Sequence, residues 1–357
     1  MDQSGSIPVP ATTAAATATT TAPTPDASAT PAAPPSAYAQ QRRRQLVQGA
    51  IVLLLAALLP LVVTNAYLRN VLVLTLLYAA LAQSWNILGG YCGQVSLGHA
   101  LYFGVGAYAA SKLFVDHGVV LWFGMLAGGA LAALLALVVG YACFRLKGHY
   151  FSIATILFAE IGLTLMHNWE YVGAATGIQW PFGPDSWWTL QFARDKTPYI
   201  YVALGLVAVV WLVTWWIEDS RWGYWWRAVK DNPEAAQSLG VTVFRSKMAA
   251  AALSAFFTAV GGAFYAAFVS YVDPDSVMHF RFSLLMALPV VLGGIGTLWG
   301  PVLGAALLIP LTEFSRSYLG GGNGLDLMIY GALVMGVALI KPDGLVRVFA
   351  KRGGGSR

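Results

Sequence analysis

Three polar side chains and a run of glycines share one short stretch of an otherwise apolar region. Gln94, Ser96 and His99 lie in GYCGQVSLGHA (residues 90–100), which also contains Gly98. Irregular backbone at membrane depth is tolerated only where it is buried in protein or lines a cavity. The pattern predicts a broken helix along a polar pathway, with backbone and side-chain groups able to hydrogen-bond a zwitterion. Close helix packing around a hydrogen-bonded His99 would produce the same pattern.

A single carboxylate, Glu160, lies well inside the apolar helix predicted from FSIATILFAEIG. A charged side chain is costly in lipid, and such residues normally face a partner or a water-filled path. Three roles fit this position. Glu160 would receive the ammonium group of a solute, carry protons, or form a structural pair with a residue such as His149 or His99.

A charged stretch, RAVKDNPEAAQSLGVTVFRSK, interrupts the apolar sequence of the second half. Asn232 suits a helix N-cap, Pro233 suits the first turn, and Glu234 places negative charge at the positive end of the helix dipole. Gly240 suits the position just beyond the helix, where a left-handed backbone ends it. We therefore predict a short capped helix within the loop 218–247.

The composition identifies the class of protein. Of 357 residues, 57% are hydrophobic and 10% are charged, whereas a soluble domain carries about 25% charged residues. Several apolar runs reach the length of about 20 residues that spans a bilayer, and we predict an all-α polytopic membrane protein of about 8–10 spanning or half-spanning helices. The candidate segments are 46–64, 68–88, 97–115, 119–144, 150–170, 199–217, 248–270, 282–296, 299–315 and 325–341.

The basic residues are distributed unevenly between alternate loops. With the N-terminus placed inside, fifteen of the 21 Lys and Arg residues fall on one side, which is cytoplasmic by the positive-inside rule. Both termini are then cytoplasmic, and the loop 171–198 is external. Trp180, Trp187 and Trp188 in this loop are predicted to lie in the aromatic belt of the membrane interface.

Three regions follow from these patterns. Residues 1–41 form an Ala/Thr/Pro-rich tail that cannot bury enough apolar surface to fold, and we predict it to be disordered and cytoplasmic. Residues 42–345 form the transmembrane domain, and residues 346–357 form a basic cytoplasmic tail.

Motifs for catalysis and metal binding are absent from the sequence. No G-x-x-x-x-G-K-[ST] phosphate loop occurs, so any ATP that drives this protein must be hydrolysed by another chain. There is also no H-E-x-x-H or G-x-S-x-G, and the five histidines have no ligand spacing. Cys92 and Cys143 are expected to be small packed side chains. We predict a protein that is not an enzyme and holds no cofactor or metal.

Four motifs occur in the order found in one family of transport proteins. NILGGYCGQVSLGHALYFGVGAYAA, FRLKGHYFSIATILFAEIG, the EAA stretch from Glu234 to Gly240 and LGGIGTLWGPVLGA together resemble the branched-chain amino acid ABC permeases of the LivM type. The resemblance covers roughly residues 45–345. Cys92 stands where an alanine is more usual, and Pro289 interrupts a helix that is expected to be unbroken.

The resemblance implies a permease subunit of an importer in the bacterial inner membrane, for branched-chain or similar small neutral amino acids. It implies four kinds of neighbour: a second permease subunit, two cytoplasmic ATPases that bind ATP and Mg, a periplasmic substrate-binding protein, and membrane lipid. Nucleic acid is not an implied partner.

The resemblance also implies roles for particular residues. In this family the short EAA helix docks into the ATPase, and the residues expected to couple the two proteins are Arg227, Asp231, Glu234, Ala235, Ala236 and Gly240. Thr176 and Gly177 match the position of the family's glycine-rich outer loop. They are expected near the site where the solute is handed over.

Two other functions remain open from the sequence. Related permeases carry urea or short amides, and this chain by itself does not discriminate among these solutes. A proton-coupled secondary transporter using Glu160 would share the apolar composition and the broken helices. Such a transporter has no use for an ATPase-docking helix.

Overall fold

The computed structural model of the chain describes most of its length. The described residues are 35–146, 148–181, 183–192, 195–319, 328, 331, 332, 335 and 336. Most of the predicted N-terminal tail and all of the predicted basic tail lie outside the described residues, as does most of the tenth candidate segment. The chain forms two compact units, residues 1–52 and residues 53–357, and the first is described only from Pro35.

The described chain is built from α-helices, with two strands of two residues each. The helices are α1 (Pro35–Val62), α2 (Ala66–Asn86), α3 (His99–His117), α4 (Leu121–Cys143), α5 (His149–Asn168), α6 (Thr197–Glu218), α7 (Arg221–Asp231), α8 (Pro233–Ser238), α9 (Val243–Val269), α10 (Pro274–Met278), α11 (Phe280–Gly293) and α12 (Gly300–Leu319). Seven helical stretches in the described residues are long and apolar enough to cross a membrane. This confirms the predicted all-α, multi-pass architecture.

The long helix α2 lies at the centre of the second unit, where it packs against α6, α9, α11 and α12. It continues into a π-helical turn, Ile87–Tyr91, and the chain then runs without regular structure until α3 begins at His99. Single π-helical turns are frequent at functional sites. The broken helix predicted from the glycine-rich sequence is therefore confirmed.

Small residues allow α3 and α9 to pack closely. The backbone of Gly262 on α9 lies against the carbonyl group of Phe103 on α3, so that a Cβ at position 262 would lie 2.0 Å from that oxygen. Such close approaches are the usual means of helix association in membranes, where lipid removes the hydrophobic driving force between helices. Pro289 lies inside α11, which runs through it without ending.

The helix α9 defines two ends of the second unit. It begins beside α8 and runs for 27 residues, a length of about 40 Å. At its far end the strands β1 (Ile178–Gln179) and β2 (Tyr271–Val272) pair antiparallel, joining the loop after α5 to the turn after α9. We call the end of the unit beside α8 the α8 end, and the end beside the two strands the β end.

The loop between α5 and α6 divides its tryptophans between surface and core. Trp187 and Trp188 are 54% and 71% exposed, in accord with the predicted interfacial belt. The prediction for Trp180 is wrong, because this side chain is buried and its Nε1 donates a hydrogen bond to Ser111 Oγ at 3.0 Å. The indole ring anchors the loop to α3 instead of lying at the interface.

Candidate functional site

The N-terminus of α8 is capped as the sequence predicts. The Oδ1 atom of Asn232 accepts hydrogen bonds from the N–H groups of Glu234 and Ala235, at 3.0 and 3.1 Å. Pro233 is the first helical residue, where its missing N–H costs nothing. These contacts satisfy two of the N–H groups that a helix start leaves unpaired.

The C-terminus of α8 ends in a Schellman motif, a pair of backbone hydrogen bonds around a left-handed residue. Gly240 has φ +87°, and its N–H donates to the carbonyl of Gln237 at 3.0 Å. The N–H of Val241 donates to the carbonyl of Ala236, also at 3.0 Å. Both ends of this two-turn helix are therefore fixed by local contacts, which makes it a stiff element.

The helix α8 buries one side chain and exposes the others. Ala236 is 2% exposed, whereas Glu234, Ala235 and their neighbours lie on the surface. Leu239, next to the terminating glycine, is 84% exposed and is the most exposed large apolar side chain among the described residues. Sequence reasoning did not single it out, although an apolar residue directly before a helix-ending glycine was visible in the sequence.

The helix α7 connects α8 to the membrane spans. The Nε1 of Trp226 donates a hydrogen bond to the carbonyl of Ser246 on α9 at 3.0 Å. The guanidinium of Arg227 donates to the carbonyls of Gly223 and Glu218. Arg227 therefore ties α7 to the end of α6, whereas Asp231 is exposed at the junction with α8.

A cavity of about 690 Å³ at the α8 end brings two of the predicted sites together. Gln94 from the broken helix and Glu234 from α8 both line it, with His149 at the start of α5 and Lys247 at the start of α9. The sequence placed Gln94 on a solute path and Glu234 on an ATPase contact. In the folded chain both residues border the same polar space.

The side chain of Lys230 on α7 lies beneath both glycine-rich motifs. A Cβ at Gly93 would lie 2.9 Å from the Cγ of Lys230, and a Cβ at Gly296 would lie 2.9 Å from its Nζ. Gly93 and Gly296 have φ of +71° and +73°, which L side chains rarely adopt. The helix that precedes α8 is thus in direct contact with the irregular segments after α2 and after α11.

Asn86 joins the two irregular segments to each other. This fully buried amide accepts a hydrogen bond from the Gly296 N–H at 2.9 Å and donates one to the Thr297 carbonyl at 3.0 Å. Sequence reasoning missed Asn86, although an amide at the end of an apolar helix beside a Gly-Gly pair is a recognisable signal. The segment after α2 is also fixed by Tyr91, whose hydroxyl donates to Glu218 Oε1 at 2.6 Å.

The broken segment is attached to α5 by side-chain hydrogen bonds. Thr155 Oγ1 accepts from the Leu97 N–H at 3.1 Å, and Ser152 Oγ donates to the Val95 carbonyl at 2.6 Å. Gly98, which precedes α3, is buried in this contact. The broken segment and the start of α5 would therefore move together.

Ser96 and His99 lie inside the protein instead of on a cavity wall. The Ser96 carbonyl accepts a hydrogen bond from Trp85 Nε1 at 2.7 Å. The Nε2 of His99 lies 2.9 Å from Ser254 Oγ, and that hydroxyl donates its proton to the Ser84 carbonyl. The contact between His99 and Ser254 links α3 to α9.

Glu160 lies on the outward face of α5, with Leu157 and Ile161 beside it. No hydrogen bond or ion pair to this carboxylate occurs within the described part of the chain. His99, one of the two partners considered from the sequence, is bonded to Ser254 instead. The mid-span carboxylate therefore points away from the core of its own chain.

Thr176 and Gly177 lie at the β end. The Thr176 carbonyl accepts a hydrogen bond from the Tyr271 hydroxyl at 3.0 Å. The Thr176 hydroxyl donates a hydrogen bond to the Gly173 carbonyl. A Cβ at Gly177 would lie 2.2 Å from the Val272 carbonyl. These two residues fix the strand pair and, through it, the turn that leads into α10.

Comparison with known proteins gives one matching family and a small set of relatives. The family model for the permease component of branched-chain amino acid transport systems matches residues 67–338. The high-affinity branched-chain amino acid transport system permease protein LivM of Escherichia coli K12 is 28% identical over 300 residues, covering 78% of this chain and 69% of the relative. The corresponding LivH protein of the same strain is 23% identical over 290 residues, covering 75% of this chain and 91% of that protein.

A third relative is similar over a shorter region. The autoinducer 2 import system permease protein LsrC of Klebsiella pneumoniae is 33% identical over 141 residues, covering 37% of this chain and 40% of the relative. No solved structure matches the chain.

Proposed function

Since this chain belongs to the family of permease components of branched-chain amino acid transport systems, we propose that it is a membrane-spanning subunit of an ATP-driven importer. Its proposed solutes are branched-chain or similar small neutral amino acids. The permeases LivM and LivH, which it resembles, carry this solute class in their names.

The observation that supports this function best is the contact of α7 with both glycine-rich segments. Lys230 lies against Gly93 and Gly296, and α7 leads directly into the capped helix α8. A force applied to α8 would reach the irregular segments through one short helix. Irregular backbone can change its dihedral angles more readily than a helix, because fewer backbone hydrogen bonds have to break.

The proposed coupling surface consists of α8 and its junctions. Glu234, Ala235 and Leu239 would contact the ATPase, while Ala236 and Gly240 would hold the helix in shape. Arg227 and Asp231 would transmit the movement along α7 to the end of α6. The coupling residues implied by the EAA motif thus divide into those that touch the ATPase and those that position the helix.

The proposed solute path begins at the β end and leaves by the cavity at the α8 end. Gln94 would contact the solute there, because it lines the cavity. Ser96, Gly98 and His99 would be positioning residues that hold the broken segment. Glu160 would face a second permease subunit, and Thr176 and Gly177 would lie near the handover from the periplasmic binding protein.

The remaining partners follow from the same function. Two ATPase subunits would bind ATP and Mg on the cytoplasmic side, so this chain itself would hold no cofactor and catalyse no reaction. The assembly would lie in the bacterial inner membrane, with both ends of this chain in the cytoplasm. The α8 end would then face the ATPases.

Purification of the protein in mild detergent tests this assembly. We expect a second permease and two ATPase subunits to copurify, and we expect ATP-dependent leucine uptake once the complex is reconstituted with its binding protein. Purification without any ATPase, or uptake that proceeds without ATP, would overturn the proposal. Competition by isoleucine and valine but not by urea would separate the amino acids from the solutes of related permeases.

One observation favours a second candidate, a proton-coupled transporter. Glu160 is a carboxylate in the middle of a membrane span, and intramembrane carboxylates often belong to proton relays. ATP-depleted vesicles with an imposed proton gradient distinguish the two functions. Uptake under these conditions would support the proton-coupled function, and its absence would support the ATP-driven one.

A further inference from the structure

A second polar cavity lies at the β end, opposite the one bordered by α8. It has a volume of about 410 Å³ and lies among α2, α9, α10, α11 and α12. No residue singled out from the sequence lines it. The two cavities occupy opposite ends of the second unit, because α9 begins at one and its last turns border the other.

The charges of this cavity are balanced. Asp275 and Glu313 contribute two carboxylates, and Arg281 and Arg316 contribute two guanidinium groups. The imidazole of His279 also lines the cavity, and Asp275 Oδ1 lies 3.3 Å from His167 Nε2. Within the chain, Glu313 Oε1 lies 4.0 Å from Arg316 Nη1, which is the outer limit of an ion pair. Charges of both signs therefore line one space without a tight bidentate pair between Glu313 and Arg316.

Hydroxyl-bearing side chains and an apolar patch form the rest of the cavity wall. Leu74, Leu285 and Ile309 line it, together with the ring of Phe282. This ring stacks on Phe103 with 5.6 Å between ring centroids and an angle of 16° between ring planes. A solute in the cavity would thus meet charged groups together with aliphatic and aromatic surface.

We propose that this cavity binds a zwitterionic α-amino acid with an aliphatic side chain, as an entry site on the side away from the ATPases. Guanidinium groups bind carboxylates through paired N–H donors, so Arg281 and Arg316 would hold the α-carboxylate. Asp275 and Glu313 would hold the α-ammonium group, and the apolar wall would receive the side chain. The proposal rests on the proposed function, which supplies the solute class.

The balance of charges is what selects a zwitterion. A simple carboxylate would satisfy the two guanidinium groups but leave the carboxylates facing an apolar or anionic ligand. A simple amine would satisfy the two carboxylates but leave the two guanidinium groups without an anionic partner. A charge left without its partner costs more than a lost contact. The cost is greatest at Glu313, whose side chain is 22% exposed, against 65% for Asp275 and 47% for Arg316.

Cysteine labelling measures occupancy of the cavity in the assembled complex. The two native cysteines are buried, so a single Thr312→Cys change places a reactive thiol on the cavity wall. The labelling rate with a water-soluble maleimide is measured on the purified complex with L-leucine, with leucinamide and with 4-methylpentanoate. Leucinamide lacks the carboxylate, and 4-methylpentanoate lacks the ammonium group.

We expect L-leucine at about ten times its dissociation constant to slow labelling by about tenfold, because the unoccupied fraction falls by that factor. Neither analogue should slow it at the same concentration. Adding Arg316→Gln or Glu313→Gln should abolish the protection, whereas Arg69→Gln should preserve it, because Arg69 pairs with Asp195 outside the cavity. Glu170→Cys, at an exposed position of the same end, should be labelled at a rate that leucine does not change.

Three results would overturn the site. The first is that leucine does not slow labelling of the cysteine in a complex that takes up leucine. The second is that leucinamide and 4-methylpentanoate slow labelling as much as leucine does. The third is that leucine still slows labelling after Arg316→Gln and after Glu313→Gln. Leu285→Cys, on α11, repeats the measurement if Thr312→Cys impairs assembly. A wild-type complex that transports no leucine would instead count against the proposed function, which keeps the two failures distinguishable.

Discussion

The side chain of Asn86 holds together two segments that lie 210 residues apart in the chain, through its hydrogen bond from the Gly296 N–H. With the second bond to the Thr297 carbonyl, both polar atoms of the amide join the break after α2 to the loop after α11. The two glycine-rich motifs of the sequence are thus neighbours in space, and Lys230 lies against both of them.

The first prediction concerns this amide. Asn86→Ala removes two buried hydrogen bonds and should lower the free energy of unfolding by about 2 kcal/mol. Asn168→Ala, at an exposed helix end, should change it by less than about 0.5 kcal/mol. Thermal unfolding of the purified protein in detergent compares the two, and equal midpoints would show that Asn86 does not hold the segments together.

The second prediction concerns coupling through Lys230. Gly93→Ala and Gly118→Ala place a methyl group on residues of similar positive φ, +71° and +63°, at a cost of about 1–2 kcal/mol each. Only the Cβ at position 93 meets Lys230, since the space around Gly118 is open. Gly93→Ala should therefore reduce solute uptake relative to ATP hydrolysis in the complex, whereas Gly118→Ala should leave that ratio unchanged.

Shortening the facing side chain provides a rescue. Lys230→Ala added to Gly93→Ala should restore part of the ratio of uptake to hydrolysis, because it removes the closest contact, which is with Lys230 Cγ. The contacts with the Cα and Cβ of residue 230 and the backbone strain remain. A double variant no better than Gly93→Ala alone would exclude the contact with Lys230 Cγ as the cause.

The third prediction concerns the exposed end of α8. Leu239→Ser removes an 84% exposed apolar side chain, so the stability of the isolated chain should change by less than about 0.5 kcal/mol. Copurification of the ATPase should fall, because burying an exposed apolar side chain in the proposed contact stabilises binding. Ser238→Ala is the matched control, and equal ATPase recovery from both variants would remove Leu239 from the contact.

The fourth prediction concerns the outward carboxylate of α5. Glu160→Gln keeps the shape of the side chain and removes its charge, so the fold should be unaffected. Solute uptake by the complex should fall by about tenfold, the effect of losing about 1.4 kcal/mol of interaction. Thr164→Val, one turn further along the exposed face, serves as control. Unchanged uptake and unchanged recovery of the second permease with Glu160→Gln would exclude both the path and the interface role.

The fifth prediction concerns acid. Hydrogen bonds from Thr197, together with the Arg69 guanidinium, lower the pKa of Asp195. Since the folded pKa lies below the unfolded one, the stabilisation is present above the ordinary carboxyl pKa and is lost as the pH falls through the lowered value. The melting temperatures of wild type and Asp195→Asn should therefore differ at neutral pH and converge in acid. A gap that persists at low pH would exclude this carboxylate as its source.

Local sequence determined the form of α8. Its N-cap, its first-turn proline and its terminating glycine lie within nine residues of one another, and the hydrogen bonds they make are to adjacent backbone. Such contacts do not depend on distant parts of the chain. The spans were likewise predictable, because length and apolar composition are sufficient to identify a helix that crosses a bilayer.

The facing of the spans was not predictable from sequence. A helix that is apolar on all sides gives no periodic signal for the side that packs, so the outward position of Glu160 came only from the packed structure. The burial of Trp180, in the loop after α5, also came only from that structure, because its partner Ser111 lies 69 residues away in the chain. The same holds for Asn86, Lys230 and the two cavities. Asn86 and Lys230 each contact residues that are distant in the sequence, and each cavity is lined by several helices. These contacts form only where small residues let two backbones approach.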